Sequence, residues 1–237
     1  MMTVEITEIE EVLGRFAHSE PVVLAEPGSA ADVPEPWRPI AHSDAAQARC
    51  RAAISLWNSD FLHLVPGFAQ AVETELADVR IGHLAGEAVL VYALEHYDDD
   101  QRHVVCWIGW DPALARDAEL RFAEAIPAPI RRFYREAHAG FVAPDWMSNG
   151  PIQPRHLQTY AEYLGCPEGL PESNWPPDAV DPTRLLLLAT SGDSHLCVSP
   201  DLPPGQALTV YGGVPEPPED VGGLLDETMT AQLDEFA

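Results

Sequence analysis

Two runs constrain this chain more than anything else in it: Glu87 to Tyr97, EAVLVYALEHY, and His103 to Trp110, HVVCWIGW. Both are rich in β-branched and aromatic residues, and the polar DDDQR between them reads as a turn, so the pair is expected to form a β-hairpin. A strand with one wet face alternates apolar and polar residues. These two are almost continuously apolar, which requires cover on both faces, most simply from helices. The expected fold class is therefore α+β: a mixed, mainly antiparallel sheet packed with helices.

Helical cover is easy to find. Ile6, Ile9, Val12 (or Leu13) and Phe16 recur at helical spacing between Val4 and Phe16. Ser43-Asp44 offers an N-cap for a helix to about Trp57, with Ala46, Cys50, Ala53, Ile54 and Trp57 on one face, and Pro66 opens another that runs to about Leu76. Beyond the boundary at Asp111-Pro112, a helical stretch is expected from about Ala113 to Ala125. The next passage, AIPAPIRRFYREAHAGF (Ala125 to Phe141), has proline in its first turn, an apolar face through Ile126, Ile130, Phe133, Tyr134 and Ala137, and Gly140 as its stop. A further helix is expected from about Pro154 to Leu164. Then RLLLLAT and HLCVS flank Ser191-Gly192-Asp193-Ser194 as a second hairpin, followed by a strand from Ala207 to Tyr211 and a closing helix from about Gly223 through Leu225, Met229, Leu233 and Phe236. Proline clusters at 20–39 and 166–182 mark irregular connections.

Charge narrows the function classes. The formal net charge is −25, and all 13 basic residues are Arg. Without Lys there is no P-loop cation and no Schiff-base amine. So large an acidic excess repels phosphate backbones and anionic lipid, which argues against nucleic acid or membrane as partner. No apolar run approaches the roughly 18 residues of a membrane span. The acidic start MMTVEITEIEE is unlike a secretory signal, so the expected location is cytoplasmic. Cys50, Cys106, Cys166 and Cys197 are far apart and make no Cys-x-x-Cys, so they read as reduced thiols, with Cys106 and Cys197 buried.

From about residue 113 the order of features is distinctive. An Ile-Pro-x-x-Ile-Arg-x-Phe-Tyr helix ends in His138-Ala139-Gly140-Phe141; an apolar strand, a Gly192-Asp193 turn, a Leu196-Cys197-Val198 strand, a strand ending at Tyr211 and a terminal helix follow. This pattern resembles the SUKH superfamily, which includes the fungal cell-wall-synthesis regulator and many bacterial immunity proteins. This chain has Ala139-Gly140 where members often have Asn-Gly, and Asp201 in place of an Asp directly after the Cys-bearing strand. The resemblance implies a SUKH-like domain at 113–237 after an N-terminal α+β region at 1–112. It also implies action by binding other proteins, commonly as an antidote to a toxin. No catalytic, cofactor-binding or metal-binding residues come with that pattern, so none is assigned.

The expected partner is accordingly a protein, a cognate and basic toxin domain, met by acidic surface. Asp98, Asp99 and Asp100 in the first hairpin turn, and Glu216, Glu219, Asp220, Asp226 and Glu227 near the C-terminal end, are the candidate contact residues. No basic residue follows Arg184. Trp107, Trp110, Trp146 and Trp175 are candidate interface anchors or simply core. Two other readings stand beside this one. A regulatory scaffold would use the same surfaces. A metal-dependent hydrolase would use Glu95, His96, Asp98, Asp99, Asp100 and His103, although Asp in a hairpin turn is ordinary turn chemistry and no recognised metal spacing is present. Asp193-Ser194-His195 lacks a nucleophile elbow and reads as a turn, and His42-Ser43-Asp44 as a helix cap.

Overall fold

The first hairpin stands at the centre of the molecule. A computed structural model, describing residues 4–15, 21–25, 33–98, 101–116, 118–171 and 175–234, pairs β3 (Glu87–Asp98) with β4 (Gln101–Trp110) antiparallel, Val89 opposite Trp110 and His96 opposite His103. Val89 to Leu94 on β3 and Cys106 to Ile108 on β4 are fully buried, on both faces of the sheet. The protein is α+β. Its first sheet has the order β1 (Val23–Leu24), β2 (Leu76–Leu84), β3, β4, β5 (Phe141–Val142), and all its pairings are antiparallel. The helices α1 (Ile6–Arg15), α2 (Arg38–Ala41), α3 (Ala46–Ile54) and α5 (Pro66–Glu75) lie against it, while α4 (Ser59–Leu64) packs on α5.

Strand β2 has no clear signature in the sequence. It carries Asp78, Arg80 and His83 among apolar neighbours, which blurs a period-2 reading. Burial of Asp78 is made tolerable by pairing. Its carboxylate accepts from Arg49 Nε and Nη2 on α3 (2.8 Å each), from Arg80 Nε (2.6 Å) and from the backbone N–H of Val79 (2.8 Å). Asp78 is 0% and Arg49 5% exposed, so a charged group is sealed between α3 and the sheet with all its acceptor sites used.

The second sheet holds β6 (Leu186–Ser191), β7 (Ser194–Val198) and β8 (Gln206–Tyr211), with the short β9 (Val214–Pro215) and β10 (Glu219–Asp220) both paired to β8. The run of four leucines is explained by two apolar faces. Leu186, Leu188, Leu196 and Val198 enter the main core, which draws on residues from Val4 to Leu233. Leu185, Leu187, Cys197, Leu208 and Val210 form a smaller cluster on the opposite face with Ile152 and Tyr160. The closing helix α8 (Val221–Asp234) packs on this sheet and on α5.

The two sheets are joined through backbone. Phe141 N–H donates to Pro151 O (2.9 Å), Asn149 N–H to Thr190 O (2.7 Å) and Ile152 N–H to Leu188 O (2.9 Å), so residues 148–152 lie between β5 and β6. Gly150 sits in this joint: a Cβ there would fall 2.1 Å from Phe141 O, which is backbone and cannot swing away. Gly150→Ala should therefore destabilise the protein by about 1–3 kcal/mol, read as a lower urea midpoint; an unchanged midpoint would show that the joint gives way easily.

Several helices depart from expectation. Among its described residues the stretch from Ala113 to Ala125 forms no α-helix. A 3₁₀ turn covers Pro112–Ala115, and residues 121–125 are turns. Its residues are good helix formers, but Leu114 stays exposed and Phe122, in a left-handed conformation (φ 50°), has the guanidinium groups of Arg121 (5.2 Å) and Arg184 (5.5 Å) over its ring, so tertiary contacts override propensity. The helix expected from Pro154 to Leu164 is split into a 3₁₀ turn, Pro154–His156, and α7 (Tyr160–Tyr163), which Thr159 and Glu162 start with a capping box. Ser43-Asp44 do not cap α3. Its N-cap is Ala45, and Ser43 Oγ donates to Ala45 O. By contrast α6 (Ala128–Glu136) has the expected start and apolar face, with Pro127 as N-cap and Ile130, Phe133 and Tyr134 buried, although it ends at Glu136, short of Gly140.

Candidate functional site

The acidic candidates occupy three different places. Asp98 pairs with Gln101 at the end of the central hairpin; Asp99 and Asp100 lie outside the described residues. Glu216, Glu219 and Asp220 are brought together, all exposed, on the outermost segment of the second sheet. There Val214 pairs with Tyr211, Glu216 N–H donates to Thr209 O and Glu219 pairs with Ala207, so 214–220 runs antiparallel to β8 as a broken edge strand. Pro215, Pro217 and Pro218 have no N–H to offer, which blocks this edge from adding another strand and leaves side chains as its means of contact. Two large apolar residues are directly opposed on it, Tyr211 (61% exposed) and Val214 (62% exposed).

Asp220 and Asp226 also have structural work. Asp220 Oδ2 accepts from Gly223 N–H (2.9 Å) at the start of α8. Asp226 lies on α8, but its carboxylate accepts from Gly67 and Phe68 N–H (2.8 Å each), capping the first turn of α5 from another part of the chain. Its neighbour Glu227 is exposed. Asp226→Ala should thus cost about 1–2 kcal/mol in urea unfolding and Glu227→Ala less than about 0.5 kcal/mol; equal effects would refute the capping role.

The side chains of the hairpin read as an alternative metal site are otherwise engaged. Glu95 and His96 are consecutive strand residues and point to opposite faces. Glu95 accepts from Arg102 Nε (2.7 Å) and the Tyr97 hydroxyl (2.8 Å), and His96 Nδ1 lies 3.0 Å from Glu75 Oε2. No group of three or more metal-ligating side chains occurs among the described residues. His195 is buried with Nδ1 3.3 Å from Val210 O, a core position beyond a simple turn.

A cleft that sequence reasoning did not find lies where the β2–β3 turn meets the joint between the sheets. It encloses about 430 Å³ among Leu84, Trp110, Trp146, Gln153, Arg155 and His156, and a second hollow of about 440 Å³ adjoins it, sharing Trp146, Arg155 and His156. Of the four candidate tryptophan anchors, Trp107 and Trp110 are buried, whereas Trp146 and Trp175 are half-buried. Trp146 has φ 75°, unusual for a bulky residue, in a loop pinned by its own N–H to Ala143 O (3.0 Å), by Asp145 Oδ1 accepting from Met147 and Ser148 N–H (3.0 and 2.9 Å), and by Thr190 Oγ1 donating to Met147 O (3.1 Å). At the rim Arg155 forms a bidentate pair with Glu87. Partial desolvation and the neighbouring guanidinium hold His156 below the ordinary histidine value, so its imidazole is neutral at pH 7.

The base of this cleft hangs on the end of the AHAGF passage. Trp110 N–H donates to Gly140 O (3.2 Å) and Ala139 N–H to Trp110 O (3.1 Å). Gly140 has φ 105°, and a Cβ on it would fall 2.5 Å from Gln153 Cγ and 2.8 Å from Gln153 Cα, so glycine is what lets Gln153 lie down here. Beneath the floor His138, 0% exposed, donates from Nδ1 to Trp110 O (3.2 Å) and accepts at Nε2 from the Tyr92 hydroxyl (2.7 Å), which in turn accepts from Trp57 Nε1 (3.1 Å). The carbonyl fixes the neutral tautomer, and burial pushes the histidine pKa down to about 3.

No family model, curated protein or solved structure matches this chain.

Proposed function

We propose that this protein is a cytoplasmic protein-binding module that acts without catalysis, most specifically an immunity protein of the SUKH kind that neutralises a cognate basic toxin by stoichiometric contact. The carrying observation is the outer edge of the second sheet, where Glu216, Glu219 and Asp220 flank the exposed Tyr211 and Val214. Apolar anchors within a charged rim are the usual composition of a protein contact surface. The acidity at this edge is not cancelled locally: among the described residues eight arginines form ion pairs, none with Glu216, Glu219 or Asp220. An acidic edge of this type accelerates encounter with a basic partner and loses strength as salt rises.

The test is co-purification with the protein encoded by the adjacent gene. A stable one-to-one complex is expected, and Glu216→Lys with Glu219→Lys should weaken it by at least about tenfold at low salt. Failure to bind or neutralise that neighbour removes the immunity reading. Recovery of housekeeping proteins in its place would favour the regulatory scaffold.

A further inference from the structure

We propose that the cleft between Trp110 and Trp146 binds an extended, basic peptide segment of a partner protein, with one aromatic or proline side chain between the indoles and one peptide amide paired with Gln153. This rests on the protein-binding reading only in taking the occupant to be a protein. The first reason is Gln153 itself. It is 5% exposed and lines the cleft, yet among the described residues none hydrogen-bonds its carboxamide. Buried polar side chains are normally paired, and a carboxamide carries a donor and an acceptor side by side, the complement of a peptide unit.

Shape supplies the second reason. Two hollows stand in tandem, divided by Trp146, Arg155 and His156, which suits an extended chain placing side chains in successive hollows; a compact ligand would fill only one. The third is preorganisation: the pinned left-handed loop fixes the Trp146 backbone at the cleft before anything binds, and aromatic-lined grooves with one fixed hydrogen-bonding group are a recurrent way to take proline or aromatic residues. Charge selects the sign. Arg155 is already matched by Glu87, so the rim adds no net attraction for anions, while the formal charge of −25 favours a basic segment.

The probes are fluorescein-labelled hexapeptides read by anisotropy with the full chain: Gly-Arg-Phe-Pro-Arg-Gly, the same peptide with Glu for both Arg, and the same with Gly for Phe and Pro. The first should bind with Kd below about 1 mM and at least about tenfold more tightly than either control. Gln153→Leu, which keeps the stem over Gly140, and Trp146→Ala should each weaken it about tenfold. If Gln153→Leu does not fold, the half-exposed Trp146→Ala carries the test. The proposal is overturned by no binding of the first peptide, by equal binding of the Glu version, by free indole competing at the peptide's own Kd, or by unchanged affinity in the folded variants. A chain that captures the adjacent-gene toxin but no peptide keeps the functional reading and loses this one. Peptide binding without toxin capture does the reverse.

Discussion

Asp78→Ala should lower the unfolding free energy by about 3–5 kcal/mol, among the largest losses any single substitution in this protein can produce. The carboxylate is fully buried and satisfies Arg49, Arg80 and the Val79 N–H together. Removing it leaves the Arg49 guanidinium, 5% exposed, charged and without its counter-ion in the seam between α3 and β2. Arg80 is less affected, because its side chain is 21% exposed and can turn to water. The origin of the loss can be isolated. If it comes from the stranded charge, Asp78→Ala with Arg49→Met should be more stable than Asp78→Ala alone, since an apolar pair can replace a buried ion pair at little cost. Urea unfolding of the four chains gives the coupling, and simple additivity of the two substitutions would refute the account.

Acid should weaken the fold well before carboxylates titrate. His138 is neutral in the folded protein with a pKa of about 3, against about 6.5 when unfolded. Between those values only the unfolded chain takes up the proton. The stabilisation is therefore complete above about pH 6.5 and declines as pH falls towards 3, by about 1.4 kcal/mol for each unit. Glu8, Glu162 and Asp201, held below their ordinary values by hydrogen bonds from Arg102, from the Thr159 backbone and from Arg184, add losses of the same sign only at lower pH. Between pH 6.5 and 5 the slope thus belongs to His138 and, to a lesser degree, to His156, which partial desolvation also holds below its ordinary value. His138→Gln, which can still donate to Trp110 O and accept from Tyr92, should flatten it. A parent protein whose urea midpoint does not move across that interval would disprove the assignment.

What could be read from the sequence was whatever local periodicity encodes. The β3–β4 and β6–β7 hairpins, α1, α5, α6 and α8 all declare themselves through continuous or periodic apolar residues with proline or glycine at their ends. Strand β2 did not, because its one buried polar residue, Asp78, depends on Arg49, 29 positions away. The false helix after Pro112 fails for the converse reason: its composition is helical, but Phe122 is claimed by Arg184. Among the candidate site residues, Glu216, Glu219 and Asp220 could be named from charge alone. Asp226 looked the same in sequence, and only the fold reveals the α5 N–H groups it serves. Gln153 carried no signal, since its carboxamide, unpaired among the described residues, and its seat over Gly140 exist only after three separate segments meet.

The cap that Asp226 places on α5 has a consequence for biosynthesis. The donors are at Gly67 and Phe68, so 159 and 158 residues separate the two halves of this contact, and α8 also closes the core over α4 and α5. A nascent chain emerging from the ribosome can form its central hairpin early. It cannot finish the first turn of α5 or seal the surface beneath α8 until residue 226 has left the exit tunnel. This fold should therefore be completed only after residue 226 has emerged, with apolar surface on α4 and α5 open to chaperones while the second sheet is still being made.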